Sequence, residues 1–259
     1  MSLDEAGQEL RFPTLRVRRV ARTRSTQDIV LHAARSGAPE GLCCLADEQT
    51  AGRGRQGRAW SAPPGSALLV SVLLRRTPAV ASGVPFAAGL ALVDALATTA
   101  GVSAGLKWPN DVLVRGRKLA GILCEVAPSG AQEGRVAIAL GLGVNLAVGA
   151  FPHGAVGISL HELVERPPDA ETLFRSWTDR LWTRLVSLER GGVPAIVADW
   201  RKLAIGLGQA VTVRSAAGTL EGVAIDVGDD GALLVRSGDG VHRVLAGDVH
   251  IGRGASGDS

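Results

Sequence analysis

The sequence predicts an α+β fold: a central mixed β-sheet with flanking helices, followed by a small C-terminal β-barrel. Short apolar runs bounded by turn residues, such as Leu42–Ala46 and Ala67–Leu74, read as buried strands. Longer stretches repeat their apolar residues at helical spacing, as in Leu173, Phe174, Trp177, Leu181, Leu185 and Leu188. Past Ile205-Gly-Leu-Gly208 the period changes to short alternating strands separated by Gly- and Asp-rich turns. The expected division is a large domain over residues 1–205, a barrel over 206–253 and a disordered tail over 254–259.

In chain order, Arg16–Ala21 reads as a strand running into Ser25-Thr26-Gln27-Asp28, which opens a helix that stops at Gly37. Ser25 and Thr26 suit two roles at once, capping that helix and offering hydroxyls to a polar ligand. A strand at Gly41–Ala46 delivers Asp47-Glu48-Gln49 and then the loop Gly52-Arg-Gly-Arg-Gln-Gly-Arg58, closed by Ala59-Trp60. After the Ala67–Leu74 strand, Pro85 lies in the first turn of a helix that packs Ala87, Leu90, Ala91, Asp94 and Ala95 inward and ends at Gly101. Lys107-Trp-Pro-Asn-Asp111 is a turn between strands, and a hairpin follows, Val112–Val114 and Lys118–Val126 around Arg115-Gly116-Arg117. Gly121, inside the second arm, marks a bulge or a close ligand approach. Arg135–Ala147 reads as a strand pair or one long bent strand carrying Gly141, Gly143 and Asn145. Phe151 to Leu163, with His153 and His161, reads as a loop and a short helix, and neither histidine has metal-ligand spacing. Asp169 caps a long helix ended by Gly191-Gly192, and Pro194 opens another through Ile196, Val197 and Trp200. Strands at Gln209–Arg214, Gly218–Val227, Ala232–Arg236 and Val241–Ala246 make the barrel.

The chain has 259 residues, 46% hydrophobic and 20% charged, the composition of a soluble globular protein with ample core. A formal charge of +3 is too modest to indicate nucleic-acid binding by itself. The first dozen residues contain no apolar leader, and Val84–Ala97 is too short and too interrupted to span a bilayer, so a cytoplasmic protein is expected. Cys43, Cys44 and Cys124 have no CxxC spacing and read as small buried hydrophobes. Only about two dozen residues precede Ser25, too few for a helix-turn-helix module.

The chemistry concentrates in the Gly/Arg loop. Its glycines leave the backbone loose and its guanidiniums repel one another, so the free loop is expected to lack one structure and to close on an anion. Each charge-assisted bond to a carboxylate or phosphate contributes about 1.5–3 kcal/mol, enough to offset part of the ordering entropy. Gly52-x-Gly54-x-x-Gly57 also spells a dinucleotide fingerprint, but Pro63-Pro64-Gly65 argues against the helix that such a motif opens. A Gly/Arg segment wrapping single-stranded nucleic acid and a merely solvated basic turn are the other readings. In Lys107-Trp-Pro-Asn-Asp111, Asn and Asp oxygens at a strand end could hold magnesium against substrate phosphates.

Three motifs in one order, Gln49-Thr-Ala-Gly-Arg-Gly-Arg-Gln-Gly-Arg-Ala-Trp60, Lys107-Trp-Pro-Asn-Asp111 with Arg117-Lys-Leu-Ala-Gly-Ile122, and Gly141-Leu-Gly-Val-Asn145, closely resemble the biotin protein ligases. The resemblance covers nearly the whole chain. It implies a class II synthetase-like catalytic sheet with an SH3-like C-terminal domain, and the monofunctional type of the family, lacking an N-terminal DNA-binding domain. The implied reaction has two steps: biotin's carboxylate attacks the α-phosphorus of MgATP to give biotinyl-5′-adenylate, and a carrier-protein lysine then takes the acyl group and releases AMP. The implied partners are biotin, ATP with Mg2+, and the biotin carboxyl carrier protein or domain of an acyl-CoA carboxylase. No DNA or membrane partner is expected, and the protein would act as a monomer or homodimer.

By matching motif positions, the resemblance assigns Lys118, Arg53 and Arg55 as the catalytic cations, with Arg58 toward the phosphates and Trp60 folding over the closed loop. It places biotin among Ser25, Thr26, Gln27, Gln49, Gly52, Arg53, Gly54, Lys118 and Gly121. ATP or the adenylate falls to Arg53, Arg55, Arg58, Trp60, Asn110, Lys118 and Asn145, and magnesium to Asp111 and Asn145. One residue departs from the pattern: Gln27 stands where the family commonly has asparagine. Two alternatives are kept, a lipoate–protein ligase of the same fold group and a nucleic-acid-binding protein using the Gly/Arg loop.

Overall fold

The computed structural model describes residues 14–127, 134–151 and 155–252. His153 and the 254–259 tail lie outside the described residues. The elements in order are β1 (Arg16–Thr23), α1 (Thr26–Arg35), β2 (Leu42–Gln49), β3 (Ala67–Arg76), α2 (Pro78–Ala81), α3 (Val84–Ala100), β4 (Gly105–Lys107), β5 (Asp111–Val114), β6 (Arg117–Val126), β7 (Val136–Asn145), α4 (Ala170–Lys202) and β8 (Ala204–Ile205), then β9 (Ala210–Ser215), β10 (Gly218–Val227), β11 (Leu233–Ser237), β12 (Gly240–Val244) and β13 (Asp248–Ile251).

The first eight strands form one mixed sheet in the order β1-β2-β3-β7-β6-β5-β4-β8, and the last five form an antiparallel sheet in the order β12-β11-β10-β9-β13. In the large sheet β1–β2 and β4–β8 are parallel and the other neighbours antiparallel. Arg135–Ala147 is thus one strand, not a pair. The strand β13, made by Asp248–Ile251, is an element that the turn pattern did not signal.

Side-chain alternation divides the large sheet into two unlike faces. On one face Leu68, Val70, Val72 and Leu74 of β3 and Ile138, Leu140, Leu142 and Val144 of β7 join the main core with α3 and α4. On the other, α1 covers only part of the sheet, packing Val30, Leu31 and Ala34 against Cys44, Leu73, Ala137 and Ala139. The remainder of that second face is the floor of a cavity. Adjacent Cys43 and Cys44 accordingly fall in different cores, and burial pushes the Cys43 thiol up to about 12.

Local chemistry explains the element boundaries. Ser25, not Thr26, caps α1, its Oγ accepting from Gln27 N. Arg115 and Gly116 both take positive φ, 51° and 71°, as a tight two-residue hairpin turn requires. α3 is buried almost all round, with Asp94 paired to Arg184 of α4 instead of facing the core. α4 breaks where Gly192 takes φ 70°, the position between the two helices that the glycines and Pro194 indicate.

The small sheet is fastened to the large one. Trp108 donates through Nε1 to Gly231 O at 2.9 Å, and Arg201 pairs with Asp226 and Asp229. Phe86 meets Trp200 edge-on at 5.5 Å beside the same turn. Among the described residues no helix is long and apolar enough to cross a membrane.

Asp169 caps α4 by accepting from Thr172 N at 2.7 Å. Asp169→Ala should cost about 1 kcal/mol, seen as a lower urea midpoint at unchanged slope. An unchanged midpoint would remove the cap from the account of α4.

Candidate functional site

The cavity encloses about 680 Å3. Its floor is the uncovered part of the sheet, its end wall the start of α1, its roof the Gly/Arg loop, and its outer rim β13 of the small sheet. The floor exists because three strand positions lack side chains. A Cβ at Gly143 would lie 2.6 Å from the Trp60 ring, one at Gly121 3.1 Å from the same ring, and one at Gly141 3.1 Å from the Gln27 carboxamide.

A bulge on β6 equips this floor with a cation. Pairing shifts between Val112↔Ala120 and Leu113↔Lys118, so Leu119 and Ala120 both fall in the main core. Lys118 and Gly121, three positions apart, therefore both face the cavity. The Lys118 ammonium is 2.6 Å from Asp111 Oδ1 and 5.6 Å from the centre of the Trp60 ring. Lys107, opposite Asp111 across β4 and β5, completes a patch of two ammoniums and one carboxylate. Burial lowers the Lys107 pKa; Asp111 opposes that shift, and Lys118 and Arg58 add to it. Lys107 was not among the residues singled out for binding, because its burial at the strand end is invisible in sequence.

The Gly/Arg loop is folded on itself. Trp60 N donates to Gly52 O at 2.9 Å and Gly54 N to Arg58 O at 2.6 Å, closing a miniature hairpin around a 3-10 turn at Arg55–Gly57. Gly52 is required there, since its Cβ would sit 2.4 Å from Trp60 O. Self-repulsion is relieved because each guanidinium turns to its own acceptors. Arg53 pairs with Asp28 and with Glu125, at 3.1 Å for the latter. Arg55 donates to Asn110 Oδ1 and Gly247 O, both at 3.3 Å, and Arg58 pairs with Asp248. Burial works to lower the Arg53 pKa, but bonds to Asp28 and Glu125 carry it above the ordinary value. For Arg55, burial prevails over Asp248 and Asp111 and the shift is downward. Asp28, Glu125 and Asp248, which satisfy this loop, carry no motif signal of their own.

At the end wall, Gln49 Oε1 accepts from Thr26 N at 2.7 Å and Thr26 Oγ1 at 3.1 Å, and Thr26 Oγ1 meets Ser71 Oγ at 2.7 Å. Ser25, Thr26 and Gln27 are all buried. The longer Gln27 reaches across the floor, donating through Nε2 to Ala139 O at 3.1 Å and Glu125 Oε2 at 2.9 Å. Asn110 is tied to Ile122 O at 2.7 Å. Asn145 Nδ2 bonds Lys118 O and Ile158 O, leaving its oxygen for other use. Every residue singled out from the sequence lines this cavity except Gly52, which closes the loop above it. His161 lies elsewhere, in a smaller cavity with Arg117 and Glu162.

Comparison with known proteins gives the following. The Biotin/lipoate A/B protein ligase family matches residues 20–145, and the Biotin protein ligase C terminal domain matches residues 206–252. The biotin--[acetyl-CoA-carboxylase] ligase of Mycobacterium tuberculosis is 37% identical over 238 residues, 89% of this chain and 86% of that protein. The protein of the same name from Paracoccus denitrificans is 36% identical over 241 residues, 90% of this chain and 99% of that protein. Among solved structures, a biotin protein ligase from Aquifex aeolicus in complex with biotin and ATP has the same fold, with a TM-score of 0.76 at 23% identity, covering 92% of this chain and 98% of that one.

Two outcomes test the geometry. Gly143→Ala should push Trp60 off the floor and shift the indole fluorescence, while Gly149→Ala, with open space around it, should not. An unshifted Gly143→Ala spectrum would mean that Trp60 does not rest there. Because burial lowers the Lys107 pKa below 10.5, the unfolded chain binds that proton more tightly. Stability should therefore rise with pH as it passes from the lowered value toward 10.5, and Lys107→Met should abolish that component of the rise in urea titrations at several pH values.

Proposed function

The chain belongs to the biotin protein ligase family, and we propose that its cavity joins biotin to AMP and then passes the biotinyl group to a lysine of a carboxyl carrier protein. Relatives named as biotin ligases of acetyl-CoA carboxylase match over most of their length, which favours biotin over lipoate as the acid. The carrying observation is the Lys118–Asp111 pair, set by the β6 bulge on a glycine-cleared floor beneath an arginine loop.

In the first step two anions must meet. At 4 Å, like unit charges repel by about 4 kcal/mol at an effective dielectric of about 20. Lys118 and Arg55 supply the opposing positive charge where a carboxylate oxygen approaches the α-phosphorus. Arg53 was assigned to the same work, but its guanidinium already carries two carboxylates. The attacking oxygen forms the new P–O bond as the bond to pyrophosphate breaks, and Arg58 lies toward the departing phosphates. Magnesium enters with ATP as part of the substrate. Asp111 would supply the one carboxylate taken by an ion that brings phosphate and water ligands of its own. Asn145 would contribute its oxygen and Asn110 would border the nucleotide.

The biotin ring lies against Gly121 and Gly141, its ureido group facing Ser25, Thr26 and Gln49, with Gly52 to Gly54 above. Trp60 must slide from its place over Gly143 to admit the ligand, and then covers the adenylate, excluding water from a mixed anhydride. In the second step the carrier's lysine amine attacks the acyl carbon and AMP departs with the electron pair.

Incubation with biotin and α-labelled MgATP, without carrier, should give protein-bound biotinyl adenylate and one equivalent of pyrophosphate. Lys118→Ala should cut that rate by about two to three orders of magnitude, the scale of losing one preorganised charge at a developing anion, while leaving the urea midpoint nearly unchanged. Near-normal turnover by that variant would remove Lys118 from the mechanism, and lipoate-dependent adenylate in place of biotinyl adenylate would change the substrate.

A further inference from the structure

We propose that Arg117 and Glu162 are positioning residues for Lys118, and that they act by holding the chain at Gly157–Ser159 against the backbone of that lysine. The inference rests on the ligase reading for its effect on the reaction, whereas the contact itself can be judged without it.

The starting point is a gap in the sheet. β7 pairs with β6 from Val126 back to Ala120 and ends at Asn145, so it stops short of Lys118. A second stretch of chain takes its place. Lys118 N donates to Val156 O at 2.9 Å and Ile158 N donates to Lys118 O at 3.0 Å, a parallel bridge centred on Gly157. Asn145 spans the junction, its Nδ2 donating to Lys118 O at 3.3 Å and to Ile158 O at 3.2 Å. The backbone that carries the cation is therefore fixed by a segment far along the chain.

A single bridge is a weak hold, because it has no neighbouring rungs to share its ordering cost. Arg117 and Glu162 reinforce it. Arg117 Nε donates to Gly157 O at 2.8 Å, the carbonyl that the bridge leaves free, and its Nη2 pairs with Glu162 Oε2 at 2.9 Å. The other oxygen of Glu162 accepts from Ser159 N at 3.0 Å within a capping box, and Ile158 and Ser159 are themselves buried. The Ser159 N–H first, and then Arg117, hold the Glu162 carboxyl below the ordinary carboxylate range. Arg117 does not line the main cavity but lies in the smaller one with Glu162, so its guanidinium acts on the reaction through the backbone that it holds.

Arg117→Ala and Glu162→Gln each separate the pair, and the glutamine keeps an acceptor for Ser159 N, which spares the capping box. With saturating biotin and MgATP, each should slow the pyrophosphate burst about tenfold, as a slightly misplaced catalytic group does, and the double variant should be no slower than either. In a Lys118→Ala background, Arg117→Ala should cost nothing more, because the group it positions is gone. In the protein alone, the Ile158 amide of Arg117→Ala should exchange hydrogen about tenfold faster, with the β7 amides unchanged. The melting temperature should stay within about 2 °C of the parent, since an ion pair this exposed contributes little to global stability. The proposal is overturned if Arg117→Ala leaves the burst at the parent rate, slows the Lys118→Ala enzyme by the same factor as the parent, or leaves Ile158 exchange unchanged. If the parent itself makes no adenylate, the ligase reading fails and the Ile158 exchange alone decides the contact.

Discussion

A β-strand shows only every second side chain to one face of its sheet, and β6 has to show both Lys118 and Gly121 to the same one. The bulge at Leu119–Ala120 meets that constraint by sending two consecutive residues into the core. Everything above the floor follows from it: the ammonium sits beside Asp111, the indole of Trp60 lies between that ammonium and Gly143, and the loop bearing Trp60 has a surface on which to fold. The opposite face of the same strands stays apolar and packs α3 and α4.

The site places its charges in separate compartments. Arg53 is matched to Asp28 and Glu125 at the α1 end, Lys118 to Asp111 on the sheet, and Arg58 to Asp248 on the small sheet. Each pair relieves repulsion among the cations that line the cavity. Because Arg58 and Arg55 reach Asp248 and Gly247, the small sheet is part of the cavity's rim and not merely an appendage. The bond from Trp108 to Gly231 and the pairing of Arg201 with the same turn fix that rim relative to Asn110 and Asp111.

Much of this was legible in the order of residues. Apolar runs gave the principal strands, Asp169 and Gly192 gave the limits of the long helix, and Arg115-Gly116 gave the hairpin, because each of these depends on local backbone preference. The motif residues announced the cavity, since a Gly/Arg loop and a Lys-Trp-Pro-Asn-Asp turn are costly to keep without a ligand to serve. The partners of the loop's arginines could not be read from its composition, because they come from α1, β6 and β13, far away along the chain.

The sequence by itself determined the sheet-and-helix layout, the existence of the second sheet and most of the polar side chains that line the cavity. Only the tertiary structure decided which arginine faces which carboxylate, that Lys107 is half-buried beside Asp111, that Gln27 spans the floor to Glu125, and that β13 closes the rim. The physical reason is range. Helix caps, turns and strand periodicity are settled by neighbours a few residues apart, whereas the partner of a charge is whichever opposite charge the packed core brings within a few ångströms.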